Sequence, residues 1–424
     1  MAVTWSSRSG GAPVHLSLAA GTLTFSIGGR SNLSFDGEGR LVGAWFDHIT
    51  YRRGLDNRVL EKRIGAYGLR ERRLLDDAER QAILERAYAA AARLTTSIQE
   101  KTLDIDATAP DLLAQIGRWL DLIGGWNWKR LEAERGRFAG VYKPVSILPP
   151  DQYLALVIQA TEGCSYNRCS FCTFYRDRPF RIKALPELDR HIEDVRAFVG
   201  AGISLRRSLF LADANAVIVP QRQLLPILER LNRRFEISPA HPAAAETRGP
   251  ARQTGPFQDI NAFVSAPDAL RKSPADFKAL ADLNLRRLYV GLETGHDPLR
   301  NFLYKQGTAS DLLSAVETML AGGVNVGLIV MVGIGGERFR ASHLADTVEL
   351  IRRMPLGRDD LIYISPFVPT PDTPYVEQAA AAGIQPLDQA ALAVEEQRLR
   401  AALLPWARSR DVRISRYDVR EFIY

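Results

Sequence analysis

Gly163-Cys164-Ser165-Tyr166-Asn167-Arg168-Cys169-Ser170-Phe171-Cys172 holds every cysteine of the 424-residue chain, all three within nine residues. An odd, tightly grouped set cannot build an internal disulfide framework. Such a cluster points instead to metal binding or redox chemistry. A short apolar run, Leu154–Ala160, precedes it and helical periodicity follows it, so the cysteines occupy a strand-to-helix loop. In parallel-stranded folds that edge is where chemistry is placed.

The same texture continues downstream. Further apolar runs at Ser208–Ala212, Asn261–Val264, Arg287–Leu292, Val324–Val332 and Leu361–Phe367 read as strands. Between them, helical periodicity covers about 186–200, 221–234, 274–284, 309–321 and 339–353. This alternation argues for parallel βαβ units with both faces covered. Six units suit an open or partial barrel and equally a doubly wound sheet. After Pro374 come a long helix, Leu387–Leu404, and a β-like stretch, Val412–Ile414.

Upstream the pattern differs. Residues 13–48 alternate with period two, and Asp36-Gly37 marks a turn. Helical patterns follow over Glu79–Ile98 and Asp111–Ile123, then Pro144, Pro149 and Pro150 mark a boundary. The expected organisation is an α+β accessory region over 1–149, the βα core over 150–375, and a C-terminal extension over 376–424 that packs on the core.

Hydrophobic content of 46% and charged content of 25% describe an ordinary globular protein. No run reaches the roughly 18 apolar residues of a membrane span, and Met1–Gly11 lacks the shape of a signal peptide, so the expected compartment is the cytoplasm. The net charge of +6 comes mostly from arginine. Its clusters, Arg70, Arg72 and Arg73 and then Arg206 and Arg207, read more plainly as solvated surface than as a nucleic-acid footprint.

Three thiolates leave one metal position open. An iron–sulfur cluster with three protein ligands exposes one iron, whereas structural zinc prefers four protein ligands and would need a histidine such as His15 or His48. From spacing alone both readings stand.

The loop, Cys164-x4-Cys169-x2-Cys172 with Phe171 before the last cysteine, resembles the cluster loop of the radical SAM superfamily, where three residues usually separate the first two cysteines. The resemblance extends to Phe210-Leu211-Ala212-Asp213-Ala214-Asn215 at the second strand end and to Gly291-Leu292-Glu293-Thr294-Gly295 at the fourth, a segment similar to one in relatives of methylthiotransferases. It also takes in Gly327-Leu328-Ile329 and Gly333-Ile334-Gly335-Gly336 at the fifth. It covers about residues 150–370 and implies a partial (β/α)6 TIM-like barrel.

The resemblance also implies a 4Fe–4S cluster on Cys164, Cys169 and Cys172. Its open iron would bind S-adenosylmethionine for reductive cleavage to a 5′-deoxyadenosyl radical. Phe171 is then a candidate to stack near adenine or to pack the loop. Asp213 and Asn215 are candidates for the ammonium or a ribose hydroxyl, or for helix caps. Glu293 is a candidate for the ribose or methionyl group, or for a structural ion pair with an arginine. Ser265 is a weaker candidate, and Gly333 either admits backbone to the cofactor or serves a turn. His296 and Lys305 lie just past Glu293, and a surface role is the plainer reading for both. Tyr51, Tyr166, Tyr175 and Tyr304 are possible relays that nothing selects.

The expected partners are a small-molecule substrate and an electron donor such as a flavodoxin or ferredoxin. No cysteine is left for an auxiliary cluster or a methylated-cysteine mechanism, and Asp47-His48 does not continue into an Asp-x-His-x-x-Gly cobalamin signature. Two other readings stay open. One is aminocarboxypropyl transfer by a different cleavage of the same sulfonium. The other is a zinc-stabilised nucleic-acid-binding protein.

Overall fold

The computed structural model describes residues 2–7, 12–19, 21–65, 70–105, 110–238 and 257–424. They form two compact units, one of Met1–Val145, His191–Arg206 and Arg420–Tyr424, the other of Ser146–Arg190 and Arg207–Val419.

The first unit is built on an antiparallel sheet. Its strands are β1 (Ala2–Ser7), β2 (Val14–Ala19), β3 (Thr22–Ile27), β4 (Ser31–Asp36), β5 (Leu41–Phe46), β6 (Ile49–Arg53), β7 (Val59–Ile64), β8 (Arg70–Leu74) and β9 (Leu103–Asp104). β1 to β8 pair as an unbroken meander and β9 joins beside β1. Alternate residues, among them Leu16, Phe25, Leu33 and Phe35, point into a core shared with the helices Asp77–Gln99 and Pro110–Gly124. A helix that the sequence pattern did not suggest, Trp128–Val141, follows Asn127, whose side chain caps it by accepting from the Arg130 amide. Its Glu134 is buried and holds both Arg40 and Arg53, each at 3.2 Å.

The second unit carries a parallel sheet of β10 (Leu156–Gln159), β13 (Leu209–Ala212), β14 (Ile260–Val264), β15 (Leu285–Glu293), β16 (Asn325–Val332), β17 (Leu361–Pro366) and β18 (Arg413–Arg416), side by side in that order. A small antiparallel pair, β11 (Thr161–Glu162) and β12 (Arg181–Ile182), frames the cysteine loop. This is the expected mixed α/β architecture, a partial TIM-like barrel with an N-terminal β-rich extension. It differs from the six-strand expectation by one, because the β-like stretch near Ile414 pairs in parallel with β17 and becomes a seventh strand of the core sheet. The intervening helices match the periodic segments closely, at Leu185–Val199, Gln221–Arg234, Pro274–Ala281, Ala309–Ala321 and Gly336–Arg353.

Strand order equals chain order, so every carboxyl end lies along one edge. At the opposite edge Asp151 accepts from the hydroxyls of Tyr289 and Tyr363, at 2.5 and 2.7 Å, and from Arg287 at 3.2 Å. Among the described residues no helix is long and apolar enough to cross a membrane.

Candidate active site

The cysteine loop leaves β11 through Gly163, which sits at φ +75° with an added Cβ only 2.8 Å from the Pro179 carbonyl oxygen, so glycine is required there. Asn167, at φ +48°, turns the chain inside the four-residue spacer between Cys164 and Cys169. Asparagine tolerates that left-handed conformation better than most residues. The Asn167 amide donates to Cys164 Sγ at 3.3 Å. Arg176 clasps the far side, donating to the carbonyls of Cys172 and Cys169 at 2.8 and 3.1 Å.

All three cysteines are part-buried and unpaired. Burial pushes the Cys169 thiol up, and Glu293 and Cys164 push further while Lys305 pulls it back. Burial, with Cys169 and Cys164 adding to it, pushes Cys172 up to about 11. Cys169 and Cys172 are thus held as protonated thiols, and metal binding must displace their protons. Among the described residues no three His, Cys, Asp or Glu side chains gather as ligands of one ion. In a cubane each thiolate binds a different iron at its own corner, so its sulfurs need not approach as the ligands of a single ion must. Three soft sulfur donors on one loop fit such a cluster. The two histidines weighed for zinc lie in the β-rich unit, His15 against the Thr4 hydroxyl at 2.8 Å and His48 edge-on to Trp45.

The strand-end candidates fall into three groups. Asp213, just past β13, is 2% exposed and fully engaged. Oδ1 accepts from Gln159 at 2.7 Å, and Oδ2 accepts from the Gly163 amide at 2.9 Å and from Arg178 at 3.1 and 3.2 Å. Burial raises its carboxyl while those bonds oppose the shift. Its side chain ties the root of the cysteine loop to the sheet.

Asn215, Ser265 and Asp268 form a second group. Asp268 Oδ2 accepts from Asn215 Nδ2 and from Ser265 Oγ, each at 2.5 Å. Ser265 also caps the short helix Ala266–Ala269. Asn215 Nδ2 reaches Ser165 of the loop at 3.4 Å, and its Oδ1 is buried without a hydrogen-bond partner.

Glu293 is the third. It ends β15 at φ +58°, where the register with β16 shifts. Oε1 accepts from Lys305 Nζ at 2.9 Å, and Oε2 is buried without a partner. The ion-pair partner is thus a lysine, not the expected arginine. Lys305, read as surface, is mostly buried beside the loop; nothing in its sequence position shows that the turn after the helix Asp297–Phe302 folds it inward. His296, also read as surface, is likewise mostly buried and contacts Asp346 at 2.7 Å.

Phe171 packs with Leu299, Leu303, Ile334 and Tyr375 in an apolar cluster beneath the loop. Gly333 sits at φ +86°, a left-handed conformation that favours glycine whatever the space, and it packs closely against the Leu392 side chain of the helix Gln389–Ser409. Of the arginine clusters, Arg72 pairs with Glu421, and Arg73 pairs with Glu61 and Glu79.

An α/β sheet edge that gathers a three-thiol βα loop and buried strand-end oxygens defines a class: a partial barrel whose thiol loop fits an iron–sulfur cluster. The sequence model of the Radical SAM superfamily matches residues 158–351, and the chain carries a domain of that family. No curated protein matches it at a significant level.

Among solved structures, coproporphyrinogen III oxidase (HemN) from Escherichia coli is similar at 13% identity and TM-score 0.40, over 59% of this chain and 52% of that one. The methyltransferase TsrM from Kitasatospora setae, solved with cobalamin and a 4Fe–4S cluster, is similar at 16% identity and TM-score 0.39, over 58% and 46%. Methylornithine synthase (PylB) is similar at 12% identity and TM-score 0.38, over 68% and 77%. The aligned part spans about half the length of the oxidase, and likenesses of this size speak to neither substrate nor reaction.

Proposed function

We propose that this chain is a radical SAM enzyme acting on a small molecule. Cys164, Cys169 and Cys172 would hold a 4Fe–4S cluster and leave one iron for S-adenosylmethionine. When bound and reduced, such a cluster supplies the electron that cleaves the sulfonium to methionine and a 5′-deoxyadenosyl radical. The observation that carries this reading is a loop with three thiols on the same carboxyl edge of the sheet as two buried, unpartnered oxygens, Asn215 Oδ1 past β13 and Glu293 Oε2 at the end of β15.

The residues divide the work. Asp213 and Arg176 hold the loop in shape. Asn215 Oδ1 and Glu293 Oε2 are acceptors that want donors, and the ammonium and ribose hydroxyls of S-adenosylmethionine supply them. Ser265 orients Asp268, which in turn orients the Asn215 amide. Phe171 and the apolar residues beneath it keep water from the loop's inner face. A flavodoxin or ferredoxin is the proposed electron source.

Anaerobic reconstitution with iron and sulfide tests the proposal. A brown protein that converts S-adenosylmethionine to 5′-deoxyadenosine under a strong reductant supports it, and Cys169→Ala loses both colour and cleavage. A colourless protein that retains zinc overturns it. Methylthioadenosine as the product redirects the reading to aminocarboxypropyl transfer.

A further inference from the structure

The Glu293–Lys305 pair is built with more care than a surface ion pair needs. Lys305 Nζ lies 2.9 Å from Glu293 Oε1, with the two side chains 19% and 8% exposed. Gly291 makes room, because a Cβ there would stand 2.3 Å from Glu293 Oε1 and 2.9 Å from Lys305 Nζ. The backbone on both sides is clamped by one buried side chain. Arg300 donates to the carbonyls of Leu292 and Thr294, which flank Glu293, at 2.8 and 3.2 Å. It also donates to Gln306 and Gly307, just past Lys305, at 3.0 and 2.8 Å. The Lys305 amide closes the turn on the Arg300 carbonyl at 2.9 Å.

The cysteine loop is fastened to the same turn. The Ser170 amide donates to the Leu303 carbonyl at 3.0 Å, and the Tyr166 hydroxyl donates to the Tyr304 carbonyl at 2.7 Å. Lys305 therefore follows directly on two residues that grip the loop on either side of Cys169. Burial alone would lower the Lys305 ammonium, yet the attraction and hydrogen bond of the Glu293 carboxylate oppose that shift and keep the group charged.

We infer that Lys305 is a positioning residue whose mostly buried ammonium, held against Glu293 on the turn that grips the cysteine loop, raises the reduction potential of the cluster and so eases electron entry. The inference rests on the proposed cluster. A positive charge held close in a low-dielectric site favours the more negative, reduced state of a cluster, and net charge is one of the levers that set such potentials. Glu293 works against Lys305, so the pair is a balanced setting.

The test is a potentiometric titration of the reconstituted protein without S-adenosylmethionine, followed by electron paramagnetic resonance of the reduced cluster. Lys305→Met should move the midpoint to more negative potential, and Glu293→Gln should move it to more positive potential. The double variant should return close to the wild-type value, and Lys305→Arg, which keeps the charge, should stay there. A merely structural role would move unfolding without this opposed pair of signs. Equal midpoints for Lys305→Met and Lys305→Arg overturn the inference while leaving the cluster reading intact. Failure of the wild-type protein to assemble any cluster overturns both. If Lys305→Met does not assemble one, Glu293→Gln decides alone, and an unchanged or more negative midpoint sinks the inference.

Discussion

Two buried carboxylates stand at ends of the same parallel sheet, at β13 and β15, and they are used in opposite ways. Asp213 has spent both oxygens on Gln159, Gly163 and Arg178. Glu293 has spent one on Lys305 and keeps the other, buried and without a donor, beside the cysteine loop. A buried acceptor left unpaired costs folding free energy unless a water, ion or ligand meets it, so one placed beside the cysteine loop is a candidate to bind. A strand-end acid is therefore a binding candidate only to the extent that its lone pairs are still available. On that measure Asp213 is spent as scaffold, whereas Glu293 keeps one oxygen available.

The largest expected effect breaks the scaffold side. Asp213→Ala strands Arg178, whose side chain is only 7% exposed, and frees the Gly163 amide at the root of the loop. Removing one partner of a buried pair costs about 3–5 kcal/mol. Urea unfolding of the cluster-free protein should show a loss of that size. A loss well under it would mean that Asp177, which also holds Arg178 at 2.7 Å, suffices, and the contrast between the two ends would weaken.

Next comes a pH effect at the β15 end. His343 is buried, shares a hydrogen bond between Nδ1 and the Thr294 hydroxyl over 2.8 Å, and leaves Nε2 without a partner. Burial lowers it from 6.5 to about 4. The unfolded chain therefore binds a proton between these values that the folded one refuses. Stability should be full above pH 6.5 and decline as pH falls to about 4, by about 3 kcal/mol from this group alone. Unfolding curves at several pH values check it, and His343→Gln should flatten that decline. If the variant's slope matched wild type, His343 would not be the group responsible.

Much of the core was legible because its signals are local. Six strands and five intervening helices follow from short apolar runs alternating with helical periodicity, and the thiol loop declares itself by spacing. Elsewhere the stabilising partners are remote. The helix Trp128–Val141 hides because an inward position is Glu134, which breaks the apolar stripe and is balanced by arginines far back in the chain. β7 and β8 hide for a related reason: they are rich in charge and match it across the ladder, Arg73 to Glu61 and Arg63 to Glu71, in place of apolar alternation. At the site, sequence pointed to the acids but not to their roles. What separates Asp213 from Glu293 is which distant donors reach each one, and only the fold decides that.

A smaller effect probes the space around the pair. Gly291→Ala would press a methyl against Glu293 Oε1 and Lys305 Nζ. Both are far ends of long side chains and can yield, so the cost should stay near 1–2 kcal/mol, at the lower end for overpacking. The displaced pair should nonetheless shift the cluster midpoint. Unchanged stability and an unchanged midpoint together would show that the pair tolerates a range of positions, against the close fit described above.

The smallest effect concerns Ser265, which both caps a four-residue helix and donates to Asp268. Ser265→Ala removes the cap, and such losses are about 1 kcal/mol or less where the helix is this short. Asp268 still accepts from Asn215 Nδ2 at 2.5 Å, so the Asn215 amide should keep its orientation. Chemical unfolding should therefore register only that small loss, and the Km for S-adenosylmethionine should stay close to wild type. A Km several-fold higher at unchanged stability would put Ser265 itself in contact with the cofactor. The β14 end would then move from the scaffold side of the comparison to the site side.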